Sequence, residues 1–140
     1  MQGGQMPLKI DQPGLMKVGL PLVIIGLVAG LLWIAGFWAG VAGILAWIVL
    51  AAAGWRYADV AIKDGKQLTL VDAAVNGAII GAAVGVAYGL GTFIGQTIAG
   101  YGIFAFGFGF VIQELLSGAI TGAIAAAAWT AYKSGMIKTS

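Results

Sequence analysis

The residue of this chain that is best placed to carry chemistry is Glu114, the only charged residue between positions 73 and 132. Gln113 lies beside it. A carboxyl group within a membrane span costs about 2.5–3.5 kcal/mol on insertion scales, and such residues commonly mark ion or proton pathways. The sequence leaves three interpretations of Glu114 open: a buried structural partner, part of an ion or proton pathway, or a residue at the membrane boundary.

Other kinds of chemistry are excluded by what the chain lacks. It contains neither cysteine nor histidine, so thiolate catalysis, disulfides, iron–sulfur clusters and histidine ligation of zinc or haem are impossible. With only five acidic residues, a catalytic constellation is hard to assemble. We therefore expect no enzymatic activity, no cofactor and no metal site.

The composition indicates that the bilayer is the solvent of most of the chain. Of the 140 residues, 61% are apolar and 9% charged, with a mean hydropathy of +1.00. Soluble domains are about 45–50% apolar and about 25% charged. The stretches 18–55 and 73–113 are uncharged and each is long enough for two spans of about 20 residues. The predicted fold is all-α and polytopic, with four transmembrane helices in two helical hairpins.

The helices follow from these stretches. Residues 18–132 are predicted to form the transmembrane domain, between a polar N-terminal tail, 1–17, and a C-terminal tail, 133–140. Helix 1 is predicted over 18–35, with Pro21 in its first turn, where a missing N–H is tolerated.

Residues that favour turns and helix ends indicate where the later helices begin and end. Residues 36–40 suit a hairpin tip, and helix 2 starts near Ala39. Gly65 is predicted to end helix 2 in a left-handed conformation. Thr69 and Asp72 have the spacing of a helix-capping pair and open helix 3.

The outer part of the second hairpin is ambiguous. Helix 3 is predicted over 71–93 and the last helix ends at 132, which leaves more chain than two minimal spans require. Either these helices are long and tilted, or part of 91–111 forms an outer loop, a re-entrant segment or an interfacial segment.

Small residues recur at four-residue spacing, which keeps them on one helix face. Such a face lets helix backbones approach closely, and the pattern predicts Gly/Ala-zipper packing within the bundle or against another subunit. The glycines concerned are Gly26 and Gly30, Gly77, Gly81, Gly85 and Gly89, and Gly118 and Gly122.

The positions of the charged and aromatic residues predict orientation. All seven basic residues fall in the N-terminal tail, in 56–66 or from 133 onward. Four spans place these segments on one side, and the positive-inside rule makes both termini cytoplasmic. Arg56, Asp59 and Lys63 are expected on one solvated helix face. The aromatic residues predicted to anchor the chain at the interface are Trp55, Tyr57, Trp129 and Tyr132.

Two functions are compatible with these features. The first is a non-catalytic structural or accessory subunit of a larger membrane protein assembly. The alternative is a small homo-oligomeric channel or transporter with Glu114 in the pathway; a membrane-perturbing or virion membrane protein is a distant third. The expected partners are membrane lipids and other transmembrane subunits or further copies of the chain. A net charge of +2 argues against nucleic acid, and no small-molecule substrate is evident.

Overall fold

The protein is all-helical over the residues described by a computed structural model, namely 10–31, 39–65, 68–98 and 104–133. Four helices occupy most of this part of the chain. They are α1 (Gln12–Leu31), α2 (Ala39–Lys63), α3 (Leu70–Ile98) and α4 (Phe104–Lys133).

Helix α1 begins earlier than predicted because Asp11 caps it. The Asp11 carboxylate accepts a hydrogen bond from the Gly14 N–H at 3.1 Å, and its carbonyl accepts one from the Leu15 N–H at 2.9 Å. Residues 12–17, predicted as tail, therefore belong to the helix. The placement of Pro21 in the first turn was wrong, since it lies inside α1 and cannot donate the helical hydrogen bond to the Lys17 carbonyl.

The connection between α2 and α3 follows the prediction. Gly65 has φ +84°, and its N–H donates to the Ile62 carbonyl at 3.0 Å. This backbone conformation is strained for any residue with a Cβ. At the start of α3, the Asp72 N–H donates to the Thr69 hydroxyl at 3.0 Å. Both the glycine end of α2 and the threonine cap of α3 are confirmed.

The ambiguity over 91–111 is resolved in favour of long helices within the described residues. Helices α3 and α4 contain 29 and 30 residues, which is about 45 Å each at 1.5 Å per residue. A hydrocarbon core is about 30 Å thick, so helices of this length tilt or extend beyond it. Residues 99–103 and most of the predicted tip at 36–40 lie outside the described residues.

The helices pack so that α2 and α3 form the centre of the bundle. The most extensive contact joins α3 and α4; α1 packs on α3 and α2, and α2 packs on α4. Within the described ranges, α1 and α4 do not touch. Helices α2 and α3 also touch each other, so each of them contacts all three other helices, and α3 makes the more extensive contacts.

Alanine is the commonest buried apolar residue in the described interior, and many large apolar residues lie on the outside. Ala53, Ala73 and Ala126 are fully buried, whereas Ile120 and Ile124 are 62% and 64% exposed. Lipid is as apolar as these side chains, so burying them gives little driving force for helix association in a membrane. Close packing of helix backbones provides van der Waals contacts that can drive association in its place. Among the described residues, three helical segments are long and apolar enough to cross a membrane. They are Gln12–Leu31, Leu70–Gly95 and Val111–Lys133.

Candidate functional site: polar contacts at the charged end of the bundle

Four polar residues from three parts of the chain meet inside the bundle. Asp11 precedes α1, Tyr57 lies on α2, and Asp72 and Asn76 lie in the first two turns of α3. We call these four residues the polar cluster. Asn76 and Tyr57 are fully buried, so their polar atoms depend on partners within the protein.

Asn76 is the centre of the polar cluster. Its carbonyl oxygen accepts a hydrogen bond from the Asp11 N–H at 2.7 Å, and its amide nitrogen donates to the Asp72 carbonyl at 2.8 Å. The Tyr57 hydroxyl donates to the other side of Asp11, at 3.0 Å from Oδ2. One side chain of α3 and one of α2 thereby fix the start of α1.

A second set of contacts joins α2 to α4 through Asp59. This carboxylate is 4% exposed and lies 3.1 Å from the Lys63 ammonium and 3.6 Å from the Arg56 guanidinium. The Trp129 indole donates a hydrogen bond to Asp59 at 3.2 Å. The prediction of a solvated face is therefore wrong for Asp59, although Arg56 and Lys63 are exposed.

Two further contacts place the remaining described basic residues, Lys17 and Lys133, at the same end of the bundle as Arg56, Asp59 and Lys63. The Lys17 ammonium lies 3.2 Å from Asp64, and the Lys133 ammonium lies 5.3 Å from the centre of the Trp129 ring, within range of a cation–π contact. Lys17, the last two turns of α2 and Lys133 therefore share one end of the bundle, which we call the charged end. Their neighbours Lys9, Lys66 and Lys138 lie outside the described residues.

The predicted aromatic anchors divide into two groups. Trp129 packs edge-to-face on Trp55, with ring centres 5.8 Å apart, and against Tyr132 at 5.4 Å. These three residues border the charged end, as an interfacial belt does. Tyr57 is different, because its hydroxyl is turned into the polar cluster and its side chain is buried.

Glu114 lies far from the charged end. Along α4 it is about 28 Å from Lys133 at 1.5 Å per residue, near the outer end of the span Val111–Lys133. Glu114 is half-buried and Gln113 is exposed. Helix α4 continues for ten residues on the other side of Glu114, to Phe104, and all three interpretations of Glu114 stay predictions.

The glycines of the sequence pattern lie where helix backbones meet. A Cβ added to Gly81 would touch the Gly118 carbonyl, and one added to Gly77 would touch that of Gly122. Others at such contacts are Gly85 against Glu114, Gly26 against Val84 and Gly30 against Tyr88. Gly89 is buried.

Sequence reasoning missed several residues of these sites. Asp11 and Asn76 were not singled out, although an asparagine one turn after a helix-capping pair in an apolar stretch is a signal of a buried hydrogen bond. Gly54 and Gly91 also meet facing backbones, at Gly122 and Leu27. Neither belongs to the four-residue series of glycines.

Asp59 gives the charged end a predicted pH dependence. Burial raises the pKa of this carboxyl group, but its contacts with Lys63, Trp129 and Arg56 outweigh burial, so the pKa lies below its ordinary value of 3.8. A lowered pKa in the folded state adds stability above the unfolded-state pKa, and this stability is lost as the pH falls through the folded-state value.

We therefore expect Asp59→Asn to lower the melting temperature in detergent at pH 7 and to flatten its decline on acidification below about pH 4. Asp64→Asn is the matched control, since the Asp64–Lys17 pair is exposed and such pairs contribute little. Equal effects of the two variants at pH 7 would contradict a special role for Asp59.

Comparisons with known proteins give no relative from which a role could be transferred. No protein-family model, no curated protein and no solved structure matches this chain.

Proposed function

We propose that this chain is a non-catalytic structural subunit of a larger membrane protein assembly, in which it holds neighbouring helices in place. The main observation in support is that the polar side chains at the charged end bind one another. At the charged end they join the protein's own helices, through the polar cluster and through Asp59. The outward face presents large apolar residues such as Ile120 and Ile124, which suit lipid or other helices.

The proposal includes four membrane spans. Residues 39–55 of α2 contain no charged residue, and they extend about 25 Å at 1.5 Å per residue. Spans of about 17 residues are at the short end of the known range. The charged turns of α2 would then emerge at the membrane surface, where Arg56 and Lys63 are exposed.

The proposal also includes zipper packing of the glycine faces within one chain. Gly77 and Gly81 on α3 oppose Gly122 and Gly118 on α4, at distances that leave no room for a Cβ. This reciprocal arrangement supports packing between these two helices. It leaves their large residues free for lipid or for other subunits.

Both termini are proposed to lie in the cytoplasm. Lys17, Arg56, Lys63 and Lys133 meet at the charged end. An excess of lysine and arginine beside membrane spans is typical of the cytoplasmic side. The position of these residues supports the orientation predicted from the sequence.

The subunit role is tested by gentle extraction from native membranes. We expect the chain to migrate on a native gel in a complex with other membrane proteins at fixed stoichiometry. A photo-crosslinker at Ile120 should join the chain to one of those proteins, whereas one at the buried Ala53 should not. Extraction as a pure homo-oligomer, with Ile120 crosslinked only to copies of itself, would contradict the proposal.

The alternative is a homo-oligomeric channel or transporter. It is favoured by one observation, the position of Glu114 and Gln113 on α4, next to the outward-facing Ile112 and Leu116. Around a symmetry axis, these polar residues of several copies would line a common path.

The variants of Glu114 separate the two roles. Under the subunit role, Glu114→Gln should assemble and melt like the parent, and Glu114→Leu should do the same if Glu114 lies at the membrane boundary or weaken assembly if Glu114 has a buried partner. Proton flux into vesicles should be absent in all three proteins. Flux in the parent that Glu114→Gln abolishes would support the channel and contradict the subunit proposal.

A further inference from the structure

A groove between α1 and α2 runs from the charged end toward the middle of the bundle. Its volume is about 330 Å³. The residues that line it include Lys17, Pro21 and Ile25 from α1 and Ala52, Trp55 and Arg56 from α2. We call it the α1–α2 groove. From Lys17 to Ile25 it extends about 12 Å along the helix axis.

The α1–α2 groove combines two chemistries in a fixed order. At the charged end the groove is lined by the cationic residues Lys17 and Arg56. Toward the middle of the bundle it is lined by Pro21, Ile25 and Ala52. A molecule that matches this order has an anionic headgroup attached to a hydrocarbon chain. Trp55, at the side of the groove, suits the level at which headgroup and chain join.

The two cations are held loosely enough to bind a phosphate. Arg56 is 50% exposed and lies 3.6 Å from Asp59, whereas Lys63 and Trp129 approach the same carboxylate more closely, at 3.1 and 3.2 Å. The planar guanidinium of an arginine can donate two parallel hydrogen bonds to a phosphate.

Lys17 has similar freedom. Its side chain is 62% exposed, and its contact with Asp64 joins two exposed groups. An ammonium group has three N–H donors, so a contact with Asp64 leaves others for a headgroup.

Two other grooves of the described bundle lack this combination. The groove between α1 and α3, around Leu20 and Ile79, has a volume of about 350 Å³ and no charged lining residue. The groove between α2 and α4, around Ala125 and Ala128, has a volume of about 530 Å³ and likewise no charged lining residue. They offer acyl chains a surface without selecting a headgroup.

We propose that the α1–α2 groove binds one anionic glycerophospholipid, with its phosphate between Lys17 and Arg56 and one acyl chain along Pro21, Ile25 and Ala52. This inference rests on the proposed membrane embedding, and it is independent of the subunit role.

The test uses the full chain in nanodiscs of equal parts phosphatidylglycerol and phosphatidylcholine, with native mass spectrometry as the readout of retained lipid. We expect one phosphatidylglycerol per chain to be retained in preference to phosphatidylcholine. A basic residue near a charged lipid surface contributes enough that Lys17→Gln or Arg56→Gln should each weaken retention about fivefold, and the double variant about 25-fold.

Two matched controls locate the site. Lys133→Gln removes the same charge at the same end but outside the groove, and retention should not change. Ala52 lines both grooves, so Ala52→Leu fills the α1–α2 groove and should abolish retention. Ala125→Leu, which changes the α2–α4 groove without touching the α1–α2 groove, should not. Circular dichroism confirms that each variant is folded.

Three results would overturn the proposal. Retention of both lipids in equal amounts would exclude headgroup selection. An equal loss with Lys133→Gln and Lys17→Gln would mean diffuse attraction to the charged end. Unchanged retention in Ala52→Leu would mean that no acyl chain occupies the groove. None of these results depends on whether the chain co-purifies with other subunits.

Discussion

Replacing Gly81 with alanine is expected to destabilise the bundle, although alanine is the better helix former. Glycine to alanine in a helix normally stabilises by up to about 1 kcal/mol. At Gly81, however, a Cβ would touch the Gly118 carbonyl and lie 2.8 Å from its carbonyl carbon and 3.1 Å from the Gly122 Cα. These are backbone atoms, so α3 and α4 must move apart, and overpacking of this kind costs about 1–3 kcal/mol.

The measurement is the melting temperature of the detergent-solubilised protein, with Gly109→Ala as control. Gly109 is also in a helix, and among the described residues no atom lies within 4 Å of a Cβ at this position. We expect Gly109→Ala to leave the melting temperature unchanged or to raise it, and Gly81→Ala to lower it. A rise in both variants would contradict close packing of α3 on α4.

The second large effect is expected for Asn76→Leu. This change removes the acceptor of the Asp11 N–H and the donor to the Asp72 carbonyl. A buried polar group left without its partner costs about 1–3 kcal/mol. Because these hydrogen bonds fix the start of α1, its first turn should open more often than the rest of the bundle.

Hydrogen–deuterium exchange resolves this effect along the chain. In Asn76→Leu, the amides of Gly14 and Leu15 should exchange faster than in the parent, and Tyr57→Phe should produce a smaller change at the same amides. Gln113→Leu serves as the control, because Gln113 is exposed on α4. Unchanged protection of α1 in Asn76→Leu would show that the polar cluster does not hold this helix.

Local signals in the sequence were sufficient to predict most of the secondary structure. Gly65 and Thr69 act on the backbone within three residues of themselves, so their roles can be read without knowing the fold. The predicted start of α1 at residue 18 is too late because residues 1–17 are polar in composition, but residues 12–17 are helical behind the cap at Asp11.

The polar contacts could not be predicted, because they join residues far apart in the chain. Asn76 binds Asp11 across 65 positions, and Trp129 binds Asp59 across 70. The spacing of residues in a helix identifies which of them lie on the same face. It contains no information on which other helix that face will contact. Glu114 is conspicuous in the sequence because it is the only charged residue in a long apolar stretch. The described polar contacts, however, are concentrated at the other end of the bundle.

Cysteine accessibility in sealed vesicles tests most directly whether four spans bring the basic segments to one side of the membrane. The chain has no cysteine of its own, so single cysteines can be introduced at Gln67, Ile98 and Thr139. With a membrane-impermeant reagent, we expect positions 67 and 139 to react from the cytoplasmic face and position 98 from the opposite face. Reaction of positions 67 and 139 from opposite faces would contradict the four-span arrangement.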